Sequence, residues 1–179
     1  TVSSLIAETF EKLNLDPFII VGGFVNSFIS KHGPGNFKPG NGDWMIFESD
    51  ESDKSLLRFF PDYTVLLNIG TDHYSKEELI IVFEKFLKNT KIGAVIEKDL
   101  YELLDPKSYE HLKVVLFSSD GNVILGEDMW YFNNYRIEKN KISVDFKKNN
   151  ICRHFMMPVP GRYNAGNFLA AYALYEQIG

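Results

Sequence analysis

Four carboxylates fall within six residues at Glu48-Ser49-Asp50-Glu51-Ser52-Asp53, directly after the apolar run Trp44 to Phe47. A second apolar run, Tyr63 to Ile69, then delivers the pair Asp72-His73. If the two runs are neighbouring strands, their ends gather carboxylates and an imidazole at one place. Oxygen ligands with a single imidazole suit a hard divalent cation, magnesium or manganese, better than zinc. The plainer reading is a solvated acidic loop and a histidine that caps a helix.

The elements that would carry these residues follow from periodicity. Residues 2–14 space Leu5, Ile6, Thr9, Phe10 and Leu13 as one face of an amphipathic helix. Leu15-Asp16-Pro17 ends it, since the residue before proline avoids helix. Phe18 to Val21 reads as a short buried strand closed by Gly22-Gly23, and residues 24–42 as a long Gly- and Pro-rich loop. Trp44 to Phe47 and Tyr63 to Ile69 are the next strands. Ser75, with Glu78 three residues on, caps a helix over 76–89. Strands at Ile92 to Ile96 and Val114 to Phe117 flank a helical segment holding Leu100, Leu103 and Leu104. From Met129 to Met157 the pattern changes to alternation, clearest at Ile142, Val144 and Phe146, which predicts antiparallel hairpins. A helix from about Ala165 to Ile178 follows, with Asn164 as its N-cap. The expected fold is a three-layer α/β/α domain, 1–179, with a mostly parallel sheet and an appended antiparallel β-meander.

The 179 residues suffice for one good-sized domain, and 45% hydrophobic and 15% aromatic content ensures a packed core. A formal charge of -5 with no basic stripe argues against nucleic acid as a partner. Every apolar run is far shorter than the ~20 residues that span a bilayer, so no membrane partner is expected. The one cysteine, Cys152, fits a reducing, cytoplasmic compartment. Thr1 is not preceded by a methionine and the chain stops directly after an apolar helix, which suggests a piece of a larger protein.

Ligands of open parallel sheets bind beyond the carboxyl ends of the strands. Gly22-Gly23, Glu48 and the stretch Asn68 to His73 all sit at such ends. A glycine-rich phosphate cradle leading into a helix is not found. The loop HGPGNFKPGNG has four glycines, but Lys38 precedes proline and the loop runs into a strand; it reads as a mobile loop on the substrate side. In Pro160-Gly161-Arg162-Tyr163-Asn164-Ala165-Gly166-Asn167, the two carboxamides at i and i+3 share a helix face and could read the edge of a purine. A plain capped helix is the alternative.

Together these pieces resemble the central ATP-binding domain of the Mur ligase family. The resemblance rests on Leu15-Asp16-Pro17, Gly22-Gly23, Glu48 to Asp53, Asn68-Ile69, Asp72-His73 and Pro160 to Asn167, in that order, and spans essentially the whole chain. The family's GKT turn is not in the chain, and the likeness puts Thr1 just after it, on the cofactor side. Two departures stand out: Tyr163 replaces the family's histidine, and Tyr74-Ser75-Lys76 follows Asp72-His73. The resemblance implies Glu48 and His73 as catalytic ligands of Mg2+, with Glu51 the substitute if Glu48 points into the core. Their ligand atoms would then lie within roughly 4–6 Å of each other, since magnesium–ligand bonds are ~2.1 Å. It implies Tyr163, Asn164 and Asn167 beside the adenine of ATP. The implied reaction is ATP-dependent amide-bond formation in peptidoglycan precursor synthesis, joining a UDP-sugar carboxylate to an amino acid through an acyl phosphate. Further domains for the UDP end and for the amino acid are implied, so the fragment alone is expected to fold without catalysing. A family member with another acceptor, such as one that reattaches recycled murein tripeptide, and a non-catalytic α/β binding module both remain open.

Overall fold

In the computed structural model the described residues are 1–30, 33–49, 54–70, 74–121, 128–139 and 141–179. They form two compact units, Thr1–Asp50 and Glu51–Gly179.

The first unit opens with α1 (Val2–Lys12), which buries Val2, Ile6, Ala7 and Phe10. The expected stripe included Leu13, but that residue caps the helix and is 62% exposed. The apolar face is set instead by Val2, Ile6 and Phe10 at i, i+4 and i+8. The strands of this unit are β1 (Phe18–Ile20), β2 (Ile29–Ser30), β3 (Gly33–Pro34), β4 (Phe37–Lys38) and β5 (Met45–Phe47). β1 is central, antiparallel to β4 and parallel to β5, while β2 and β3 pair with each other.

The stretch 24–42 is therefore not one irregular loop. Its glycines serve packing. A Cβ on Gly40 or Gly42 would overlap the backbone of Leu15 to Pro17. Lys38 fixes the same approach, its ammonium bonding Asp16 at 2.9 Å and Glu11 at 3.0 Å. Asp16 also accepts the Asn41 backbone N–H, and that bond, followed by the one from Lys38, holds its carboxyl below the ordinary aspartate range.

The second unit is built on a six-stranded sheet. β6 (Tyr63–Leu66), β7 (Gly93–Glu97), β8 (Lys113–Phe117) and β9 (Met129–Glu138) run parallel. β10 (Lys141–Lys148) and β11 (Ile151–Met157) continue the sheet antiparallel, in the order β11-β10-β9-β8-β7-β6. The meander expected from alternation is thus the edge of the same sheet. All five residues of β7 are buried, as in a strand covered on both faces.

One face is packed by α2 (Lys76–Asn89) and the short α3 (Lys98–Tyr101), whose Leu79, Phe83, Leu87 and Leu100 join Ala94 and Ile96 of β7 in one core. α2 starts at a complete capping box: Ser75 Oγ accepts from Glu78 N, and Glu78 accepts from Ser75 N. The opposite face carries α4 (Arg162–Ile178). Its Tyr172 ring meets Trp130, Phe155 and Phe146 at 4.9, 5.3 and 5.6 Å, and Gln177 donates to the Lys113 carbonyl. The layering of this unit is α/β/α.

Candidate functional site

Two groups of residues lie beyond strand carboxyl ends, one in each unit. In the first, Glu48 follows β5 and Gly22 follows β1. Glu48 Oε2 accepts the Gly22 N–H at 3.1 Å and the Ser3 hydroxyl at 2.6 Å. The carboxylate is exposed and turned toward the first turn of α1, where Thr1 is the N-cap. Helix N-termini hold unpaired backbone N–H groups and favour negative charge, so this corner suits a phosphate or a cation bridging to one. A Cβ on Gly22 would lie 3.5 Å from the Glu48 carboxyl, in ordinary van der Waals contact. Ser3 was not singled out by its sequence; only its place in the first helical turn distinguishes it.

Glu48 supplies one hard oxygen donor of the kind magnesium takes. Among the described residues no group of three or more His, Cys, Asp or Glu side chains could hold a metal. His73, Asp72, Glu51 and the rest of the acidic run after Ser49 lie outside the described residues. The expected approach of Glu48 to His73 is therefore not among the described geometry.

The second group forms where β7 and β8 end and α4 begins. α4 starts three residues earlier than expected, after Gly161 at φ +108°. Asn164 is accordingly not the N-cap. It lies inside the first turn, 8% exposed, and its side chain donates to the Pro160 carbonyl at 2.6 Å, clamping the preceding turn. Asn167 follows at i+3 and is half-buried, while Tyr163 is 72% exposed. The Tyr163 ring lies against Gly161: a Cβ there would be 2.7 Å from Cε1. Two carboxamides and an open aromatic face thus stand at the start of one helix.

Three further residues build this corner. Glu97, 6% exposed at the end of β7, accepts from Asp99 N at 2.7 Å and from Ser119 N and Oγ at 3.3 and 3.1 Å. Gly166 lets α4 approach Ser119, since a Cβ there would sit 2.7 Å from the Ser119 carbonyl oxygen. Arg162 Nη2 donates to the Asp120 carbonyl at 2.6 Å. The sequence carried one signal for Glu97, a lone carboxylate closing a buried strand; Arg162 and Gly166 were visible only as members of the Pro160 to Asn167 motif.

The family model described as the Mur ligase middle domain matches residues 1–175. The chain belongs to this family. Among curated relatives, the UDP-N-acetylmuramate–L-alanine ligase of Carboxydothermus hydrogenoformans is 33% identical over 187 residues, covering 100% of this chain and 38% of the relative. The enzyme of the same name from Pelagibacter ubique is 31% identical over 197 residues, covering 100% and 39%. The chain thus spans about two fifths of the length of these relatives. Among solved structures, a UDP-N-acetylmuramoyl-L-alanyl-D-glutamate–2,6-diaminopimelate ligase matches with a TM-score of 0.73 at 18% identity, covering 100% of this chain and 41% of the other. A MurF ligase from Thermotoga maritima in complex with ADP matches with a TM-score of 0.68 at 15% identity, covering 99% and 43%. These structures share the Mur ligase fold, which bears out the mixed α/β architecture with its mostly parallel sheet. Members of the family are ATP-dependent amide ligases. No helix among the described residues of this Mur ligase domain is long and apolar enough to cross a membrane.

Proposed function

We propose that the parent protein adds L-alanine to UDP-N-acetylmuramate in peptidoglycan precursor synthesis, in the cytoplasm, and that residues 1–179 are its central ATP-binding domain. The carrying observation is the similarity of the whole chain, at 33% and 31% identity, to relatives named for that reaction. The remainder of the parent would supply a domain for the UDP end of the substrate and one for the amino acid.

In this reading ATP lends its γ-phosphoryl group to the muramate carboxylate. The acyl phosphate is then attacked by the alanine amine, which displaces phosphate and leaves the amide. The protein's part is positioning and charge stabilisation rather than covalent chemistry. Thr1 and the α1 N-terminus would face the phosphates, and Glu48 stands beside that helix end. Glu48 and His73 would hold Mg2+, which supplies charge neutralisation on the transferring phosphoryl group. The carboxamides of Asn164 and Asn167 would read adenine, with the exposed Tyr163 ring available for stacking where the family has histidine. ADP in the Thermotoga maritima relative supports the nucleotide class.

The test is ATP-dependent phosphate release by the full-length parent with UDP-N-acetylmuramate, offered L-alanine, other amino acids or a murein tripeptide. Preference for L-alanine is expected. A preference for the tripeptide would move the protein to a recycling ligase, and no ATP-dependent turnover with any of them would sink the ligase reading. In the same assay His73→Ala should depress kcat by about 10²–10³-fold, on the scale of other lost electrostatic stabilisers, with a far smaller change in ATP affinity. Wild-type turnover in that variant would remove His73 from the mechanism.

A further inference from the structure

The strand β9 carries an irregularity that the proposed reaction does not explain. Asp145 of β10 faces Asn133, whereas Ser143 faces Arg136, so one extra residue is inserted in β9. Asn134, at φ +52°, lies within the insertion, and its amide donates to Asp145 at 2.6 Å. A bulge of this kind re-aims the side chain that follows it. Without the bulge, Tyr135 would point to the face opposite Phe132. With it, the two rings stand 6.5 Å apart, and the Arg162 guanidinium lies over both, 5.1 Å from Phe132 and 5.8 Å from Tyr135.

Arg162 is thereby held in two ways. Its guanidinium lies over two aromatic rings, and its Nη2 donates to the Asp120 carbonyl. The loop it grips is fixed in turn: Ser119 bonds Glu97, and Ser118 Oγ bonds Asp120 at 2.8 Å. Arg162 stands next to Tyr163, two residues before Asn164 and five before Asn167. A planar guanidinium with donors on its rim spans two rings and bonds a carbonyl at once better than a compact lysine ammonium does.

We propose that Arg162, seated by the β9 bulge on Phe132 and Tyr135, is a positioning residue that locks the start of α4 so that Tyr163, Asn164 and Asn167 read the nucleotide base. This rests on the assignment of those three residues to adenine. Arg162 touches no reacting atom in this scheme. Its loss should loosen base recognition and leave phosphoryl transfer intact.

The experiment uses the full-length parent and compares Arg162→Ala, Arg162→Lys, Tyr135→Leu and Asn164→Ala. Arg162→Ala should raise KM for ATP about tenfold, the scale of one lost charge-assisted hydrogen bond. It should also narrow the preference for ATP over GTP, with kcat and KM for the amino acid close to wild type. Arg162→Lys should recover less than half of the loss, and Tyr135→Leu should shift KM for ATP in the same direction by a smaller factor. Unchanged KM and base preference in Arg162→Ala, alongside a raised KM in Asn164→Ala, would overturn the role of Arg162 alone. So would a variant in which kcat, both KM values and the melting temperature all worsen together. If Asn164→Ala also binds ATP like wild type, the base is not read at this helix and both assignments fall. Should Arg162→Ala not fold, Tyr135→Leu decides: an unchanged KM for ATP there overturns the proposal.

Discussion

Gly166 shows how a single residue can invert a general rule. In a helix interior, glycine to alanine ordinarily stabilises by about 1 kcal/mol. Here the added methyl would sit 2.7 Å from the Ser119 carbonyl oxygen and 3.2 Å from its Cα. Both are backbone atoms of a loop that Glu97 holds, so neither can yield cheaply. Overpacking of this kind costs ~1–3 kcal/mol, which outweighs the helical gain. Gly166→Ala should therefore lower the urea midpoint of the chain. Gly23→Ala, where a Cβ meets nothing within 4 Å, serves as the control. A Gly166→Ala protein as stable as wild type would mean that the helix and loop can separate freely. Asn164 teaches a related lesson. Its type suits an N-cap. The decisive fact is Gly161, whose positive φ lets the chain turn into helix three residues sooner, freeing Asn164 to act as a donor to Pro160.

At the scale of elements, local signals were the legible ones. The capping box at Ser75 and the alternation of Ile142, Val144 and Phe146 each follow from three or four residues, and each appears where expected. The bulge in β9 did not announce itself, because it depends on which residue of β10 each residue of β9 meets. Its fastening has a pH signature. Asp145 accepts from Asn134 and from His154 Nδ1, at 2.6 and 2.8 Å, linking three adjacent strands. The Asn134 bond first, then the His154 bond, holds the Asp145 carboxyl below the ordinary value of 3.8. A depressed carboxyl contributes stability that is full above its unfolded value and lost as pH falls through the folded one. Denaturant midpoints should thus drop as pH goes from about 5 toward 2, and Asp145→Asn should flatten that part of the profile. An identical slope in the variant would show that other carboxyls carry the acid sensitivity.

For the molecule as a whole, the class of fold could be read from helices alternating with apolar strands and then giving way to hairpins. The division of the strands between a three-stranded and a six-stranded sheet could not, since apolar runs such as Met45–Phe47 and Tyr63–Leu66 look alike and pairing partners are far apart in sequence. The candidate site was half legible. Glu48, Asn164 and Asn167 were named from their types and neighbours, while Ser3, Glu97 and Arg162 act through partners that only the fold supplies. If the turn that cradles the phosphates lies outside residues 1–179, as the family resemblance implies, then these residues expressed alone have a defined behaviour. They should show no ligase turnover and only feeble ATP affinity in calorimetry with magnesium. Tight, magnesium-dependent binding would place the phosphate contacts within these residues.

The packing of α4 also bears on how the chain is made. Residues from β7 to β11 prepare an apolar surface that includes Val95, Phe117, Trp130, Phe132 and Phe146, each 2% exposed or less once α4 is in place. During synthesis every one of these side chains leaves the ribosome before the first residue of α4 does. At about 5–20 residues per second, the nascent chain carries that bare surface for several seconds. The final helix is thus the step that turns a sticky intermediate into a finished domain, and the interval before it emerges is when chaperone attention matters most.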